Sequence, residues 1–416
     1  MTTTTDLLSR LTDATAGSAR EGTDLDAVDG LRPRWVVSPA DTEGVAAVLR
    51  TAHDEGLAVV PTGSGTKLGW GAPPQRLDIL LQLGRLDALV DHAAGDLVAV
   101  VGAGRRLDDL QGDLSSAGQW LAVDPARRGT VGGLVATADT GPTRLVHGPV
   151  RDLVIGATVV RADGVVAHAG GRVVKNVAGY DLSKLLTGSF GTLGVLTQVA
   201  VRLHPVPEAS RWVVVTVPSA QHARELVQGV VHSQLVMTGC ELERPAGGVA
   251  QLAVRIDGIA AAVPARADAA VEMLGGGAEQ LAQAPSWWGC DPGEDGDVRL
   301  KVTHEIASVD RLLAAVDDVS QQTGVPLDVR GSVGVGTVSV ALRGRPDEAA
   351  VVAVVDGLRR RSPEVGGTVV VRDADPATRR RLDVWGPVGG LDLMRRVKDR
   401  LDPGRVLAPG RFVGGI

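Results

Sequence analysis

The stretch GRVVKNVAGYDLSKLLTGSFGTLGVLTQVAVRLHP, residues 171–205, decides how this chain is read. It sets Gly171, Gly179, Gly188, Gly191 and Gly194 among Lys175, Asn176, Tyr180, Asp181, Ser189 and Thr192, then runs into an apolar strand. Glycines at this density let a backbone approach a ligand closely and turn its N–H groups toward it. The ligand this predicts is a large anionic cofactor.

Working outward, a second glycine-rich loop, PTGSGTKLGWG at residues 61–71, leaves a buried apolar strand. A strand ending in alternating glycines offers successive N–H donors in a concave nest that suits a pyrophosphate. The fixed spacing of a Walker loop is absent. VVGAGRR, residues 100–106, lacks the third glycine and the later acid of a dinucleotide fingerprint, so it reads as a strand-to-helix turn. Between these loops, Asp124-Pro125 is followed by Gly129-Thr130-Val131-Gly132-Gly133, then Gly141, Gly148, Arg151, Asp152 and Gly156.

In this order the three motifs resemble the FAD-binding domain of vanillyl-alcohol-oxidase-type flavoproteins. KNVAGYDLSKLLTGSFGTLGVLT is similar, more specifically, to the FAD-binding subunits of bacterial glycolate oxidase. The resemblance spans residues 35–207 and implies an α+β fold: a two-subdomain FAD-binding domain followed by a ferredoxin-like α+β cap. It implies that Pro61, Thr62, Gly63, Ser64, Gly65, Thr66 and Lys67 wrap the FAD pyrophosphate. It places Asp124, Pro125, Gly129, Thr130, Gly132 and Gly133 beside the flavin, with the double glycine admitting a helix N-terminus. Gly188, Ser189, Gly191, Thr192 and Gly194 would follow the ribityl–adenine side, with the backbone near Leu196 and Thr197 at the adenine. Lys175, Asn176 and Tyr180 fall near the isoalloxazine and are the catalytic candidates; a cation there, Lys175, would stabilise reduced flavin. Members that attach FAD covalently use a His in the first loop. None stands between His53 and His92, so non-covalent FAD is expected.

Bulk properties narrow the rest. Aromatic residues are 2% of the 416, so the core must be Val, Leu and Ala, and base-stacking nucleic-acid recognition is not expected. A net charge of -6 with no basic block lacks the footprint of a nucleic-acid binder. Cys240 and Cys290 are the only cysteines, too few for a cluster on four thiolates, and are expected as reduced cytoplasmic thiols. The N-terminus has no charged region followed by an apolar run, and no window approaches the roughly 20 apolar residues of a membrane span.

The second half alternates strands and helices as a doubled βαββα pattern. Strands are expected at 211–217, 235–243, 249–257, 298–305, 326–331, 333–342 and 366–372, and helices at 219–231, 260–274, 308–322 and 346–362. The division expected is a tail to residue 27, the FAD domain at 28–207, the cap at 208–385 and a returning segment at 386–416. The cap carries no run like the His-rich metal motif of D-lactate-oxidising relatives. His222, His232 and His304 are scattered, and no metal site is expected. Arg330 ends the strand PLDVR and is the candidate to clamp a substrate carboxylate, a solvated Arg being the alternative. Trp287 and Trp288 are either a partner contact or a cover for the cap's own core.

The resemblance implies a subunit of a complex that oxidises glycolate, a 2-hydroxy acid, to glyoxylate. The flavin would take the hydride, and electrons would leave through an iron–sulfur subunit alongside a larger FAD-containing subunit. Three alternatives stay open: a stand-alone oxidoreductase for another hydroxy acid or alcohol, a non-catalytic flavin-holding subunit, and a scaffold without flavin. In the closing DPGRVLAPGR, Ala408 stands where the family has Asn.

Overall fold

Trp35–Val37, Ile79–Gln82 and Val59–Thr62 are short, wholly apolar or nearly so, and pair in parallel, as strands covered on both faces do. Ala19–Glu21 adds an antiparallel edge. The computed structural model describes residues 4–171 and 181–416. The helix Thr42–Asp54 that crosses between the first two parallel strands starts where Asp41 accepts a bond from the Gly44 amide (2.8 Å). The chain turns out of it at Gly56, whose φ of 66° suits glycine.

A second, antiparallel sheet follows in the order Leu89–Ala93, Val98–Gly102, Val195–Arg202, Val154–Val160, Val166–Gly170. Its last two strands form the hairpin expected around residues 162–164, where the Gly164 amide bonds to the Arg161 carbonyl (2.9 Å). Val160 and Val195 pack with Trp35, Val59 and Ile79. The two sheets therefore share a core, and the glycine loops emerge where they meet.

The cap is one antiparallel sheet of eight strands, in the order Glu279–Leu281, Ala209–Val217, Ala250–Gly258, Gly239–Arg244, Leu327–Ser332, Thr337–Leu342, Val298–Thr303, Val369–Asp373. Numbered within each half, the first four strands lie 4-1-3-2 and the second four 2-3-1-4. Two ferredoxin-like units are thus joined through their second strands, Gly239–Arg244 against Leu327–Ser332. The short edge strand Glu279–Leu281 was not foreseen from sequence. The helices Ala220–His232, Val263–Leu274, Val309–Thr323 and Glu348–Val365 cover one face with a core of Val, Leu and Ala. Strand alternation sends the other side chains to the opposite face, toward the first half of the chain. After the helix Leu391–Leu401 the chain returns to the parallel sheet. The Val59 amide bonds to the Val406 carbonyl (2.7 Å) and the Ala408 amide to the Val59 carbonyl (2.8 Å). Among the described residues no helix is long and apolar enough to cross a membrane.

Candidate active site

The strand Val59–Thr62 delivers the loop 61–68 into a cleft enclosing about 810 Å³ of empty space, its open mouth included. Pro61, Thr62, Gly63, Ser64, Gly65, Thr66 and Lys67 all line it. The facing walls are Thr130, Gly132 and Gly133 on one side and Ser189, Gly191 and Gly194 on the other. Small residues let these walls close in. A Cβ on Gly63 would fall on the Thr130 hydroxyl, and one on Gly191 would lie 2.6 Å from the Pro61 ring. Arg411 pins the loop from below, donating to the carbonyls of Leu68 and Trp70 (2.8 Å each).

The remaining cofactor candidates stand behind these walls. Gly129 backs the loop, where a Cβ would meet the Thr66 hydroxyl at 2.6 Å. Gly188 bonds through its amide to the Val135 carbonyl (3.0 Å), and the Thr192 hydroxyl turns back to the Ser189 carbonyl (2.7 Å). Thr197 is buried against Thr42 (3.0 Å between hydroxyl oxygens). Asp124 and Pro125 do not line the cleft. Asp124 is an internal fastener: its Oδ1 accepts from the Thr143 hydroxyl (2.6 Å) and amide (3.1 Å), and burial pushes its carboxyl above the usual range. Lys175, Asn176 and Tyr180 lie outside the described residues.

The cleft fits FAD. Its lining contains no acidic side chain, which suits a diphosphate. It offers the Thr62, Ser64, Thr66, Thr130 and Ser189 hydroxyls and the loop backbone; the cations Lys67 and Arg411 also line it, paired with Asp139 and Asp29. No His or Cys is among the lining residues.

Thr137 and Phe190 also line a second cavity, of about 1260 Å³ of empty space, between the first half and the open face of the cap sheet. Alternation on the cap strands supplies its far wall: Glu241, Lys301, Thr303, Arg330, Ser332, Ser339 and Arg372 face it. Their neighbours Cys240, Leu242, Leu300, Val302, Val329, Val340 and Val371 face the core. Arg330 is not a free clamp. Its Nε and Nη2 engage both Glu243 oxygens (Nη2–Oε1 2.7 Å), and Nη1 donates to the Asp291 carbonyl (2.7 Å). Other charges are also matched. Lys67 pairs with Asp139 (3.2 Å), and Arg127 with Asp291 (2.9 Å) and Asp373 (2.8 Å). Arg372 pairs with Asp291 as well.

Glu241 is 4% exposed and accepts a bond from the Ser332 hydroxyl; burial pushes its carboxyl up to about 8. Arg144 and Lys301 were missed in the sequence reading, and neither makes a salt bridge or side-chain hydrogen bond among the described residues. Burial lowers the pKa of both, and Arg144 adds to the effect on Lys301. The polar-apolar alternation of LKVTH and DVRGS was the available signal for this face.

Among the described residues no group of His, Cys, Asp and Glu could hold a metal ion. Trp287 and Trp288 are partly buried on the cap. The Trp287 Nε1 donates to Gln251 (3.1 Å), and Trp288 meets Trp212 edge-on at 6.3 Å. Cys240 is buried, Cys290 is exposed, and both are free thiols.

Comparison with known proteins agrees with this geometry. Residues 33–170 match the family model described as FAD binding domain. Residues 33–170 are thus an FAD-binding domain. This flavoprotein is 24% identical over 423 residues to glycolate oxidase subunit GlcD of Bacillus subtilis, covering 91% of this chain and 89% of that protein. It is 38% identical over 167 residues to glycolate oxidase subunit GlcE of Escherichia coli, covering 39% of this chain and 47% of that one. In fold it resembles 4-ethylphenol oxidase from Gulosibacter chungangensis, with a TM-score of 0.73 at 15% identity, covering 98% and 96% of the two chains. The likeness is one of fold: the α+β arrangement expected from the sequence, a two-subdomain FAD-binding domain followed by an α+β cap.

Proposed function

We propose that this flavoprotein oxidises a short 2-hydroxy acid to the 2-oxo acid, with glycolate as the first substrate to test, as one subunit of a glycolate-oxidase-type complex. The observation that carries this reading is the second cavity, which opens beside the FAD cleft and presents cations to a small ligand. Bound FAD would supply the hydride acceptor. Residues 61–67, 129–133 and 188–194 would hold it non-covalently, and Phe190 would stand where cofactor cleft and cavity meet. The cap's polar face would orient the substrate and, with the first half closed over it, keep bulk water out. Two cysteines cannot bind a four-thiolate cluster, so electrons would pass to an iron–sulfur partner. The proposed division remains an FAD domain to residue 207, a cap to 385 and a returning tail.

The test is anaerobic addition of glycolate and of D-lactate to the FAD-loaded chain, alone and co-purified with its partners. Bleaching of the flavin band near about 450 nm supports hydroxy-acid oxidation. Bleaching only in the complex assigns the reaction to the assembly. A flavin that neither acid reduces in either preparation overturns the substrate class.

A further inference from the structure

Lys301 projects from the cap strand Val298–Thr303, and Arg144 begins the short helix Arg144–His147 of the first half. Both line the cavity between the halves. Every other cation on that wall has a carboxylate partner. Arg330 has Glu243, and Arg372 has Asp291. These pairs cancel. Neither cation touches a carboxylate: Glu241 and Asp152 act on Arg144, and Asp139 on Lys301, from beyond ion-pair distance; burial raises the Glu241 carboxyl to about 8, and Asp139 is already held by Lys67. Partly buried cations without a contacting counter-ion are costly unless something negative completes them. Both cations are depressed by burial, which is the penalty an arriving anion would relieve.

We propose that Arg144 and Lys301 together bind the substrate's carboxylate, one cation from each half of the chain, so that the binding site exists only when the halves are closed on each other. The inference rests on the reading of this cavity as the substrate site. It assigns the carboxylate to these two residues rather than to Arg330, whose Nε–Nη2 donor edge is already filled by Glu243. Arg144 supplies the forked geometry that matches a carboxylate, and Lys301 a point charge. Ser332 and Glu241, on the same wall, remain for the neutral end of the ligand.

The experiment uses the FAD-loaded full chain and oxalate, an unreactive dicarboxylate, alongside glycolate. Binding is read as perturbation of the flavin spectrum and as a rise in melting temperature. Arg144→Gln and Lys301→Met should keep FAD and weaken oxalate binding about tenfold or more each. The double variant should lose less than the product of the two, because both cations hold one group. Lys301→Arg should restore most of the loss. Without ligand, Lys301→Met should melt no lower than the parent, since it removes an uncompensated cation; a lower melting temperature would mark a structural role and overturn the assignment. Oxalate binding that both variants leave unchanged also overturns it, while leaving the functional reading intact. If the parent binds neither oxalate nor glycolate, the functional reading falls and the inference with it. Equal binding of inorganic phosphate would make this a general anion site and remove the carboxylate assignment.

Discussion

Lys398 and Asp402 form an ion pair with no exposed side-chain surface on either partner, the ammonium 2.6 Å from Oδ2. The ammonium also donates to the carbonyls of Thr192 (2.7 Å) and Leu407 (2.8 Å). The carboxylate accepts from the amides of Val406 (2.9 Å) and Leu407 (2.8 Å). One satisfied pair thus ties three things together: the last long helix, the returning tail, and the segment 188–194 that walls the FAD cleft.

A buried pair of this kind is costly to break because the surviving partner keeps its charge without compensation. Lys398→Met should therefore destabilise the protein by about 3–5 kcal/mol. Because the tail pairs alongside the strand that carries the glycine loop, FAD affinity should fall as well. Thermal melting with and without added FAD checks both. A variant that melts with the parent would show that the tail is not held by this pair.

Glu241 gives a pH dependence with a defined sign. Its carboxyl is raised from 4.5 to about 8 by burial, with the nearby Asp124 adding to the shift. A group raised in the folded state contributes stability that is full below the unfolded value and is lost as pH climbs to the folded one. Stability attributable to Glu241 should thus decline from pH 4.5 to 8 and be flat above. Glu241→Gln keeps an acceptor for Ser332 and cannot ionise. It should melt higher than the parent at pH 8, by the equivalent of about 1 kcal/mol or more, and the gap should close by pH 5. A gap independent of pH would remove Glu241 as the titrating group.

His204 works in the opposite direction. Burial, then His147 4.5 Å away between ring centroids, then Arg202, push its pKa down from 6.5 to about 4. A histidine depressed in the folded state contributes stability present above its unfolded value and lost as pH falls through the folded one. His204→Gln should flatten the loss of melting temperature between pH 6.5 and 4. The variant's slope, compared with the parent's across that window, is the measurement. An unchanged slope would return the loss to the carboxylates.

The two glycine loops were legible because backbone demands write themselves into sequence. Only glycine permits Gly63 to sit against Thr130 and Gly191 against Pro61. The doubled cap was legible for a similar reason: each strand and helix shows its period locally, and the missed strand, Glu279–Leu281, is three residues at an edge with little to bury. Asp124 shows the limit of motif reading. It belongs to a glycine-rich pattern yet serves the Thr143 turn. Arg330 shows another. A lone Arg at a strand end looks free until the register brings Glu243 directly opposite it. Arg144 and Lys301 lie 157 residues apart in sequence, and only the packing of the cap on the first half makes them neighbours of one cavity.

Gly63 offers a test of the cleft in which a clash and its relief are both built. A Cβ there would land on the Thr130 side chain. Thr130 in turn caps the helix Val131–Thr137, accepting from the Gly133 amide at 3.3 Å. Gly63→Ala must therefore push the loop and the Thr130 wall apart, and both line the cleft. FAD affinity should fall by about tenfold or more, the effect of losing one or two well-placed hydrogen bonds. Thr130→Ala alone removes the cap at a cost of about 1 kcal/mol, with a smaller loss of FAD. Gly63→Ala combined with Thr130→Ala removes the hydroxyl and branch methyl that the new Cβ meets. The double variant should bind FAD better than Gly63→Ala alone, the sign reversal that identifies two residues competing for one space. FAD titration followed by quenching of flavin fluorescence measures all four proteins. Losses that simply add would mean that Gly63 is required for something other than its contact with Thr130.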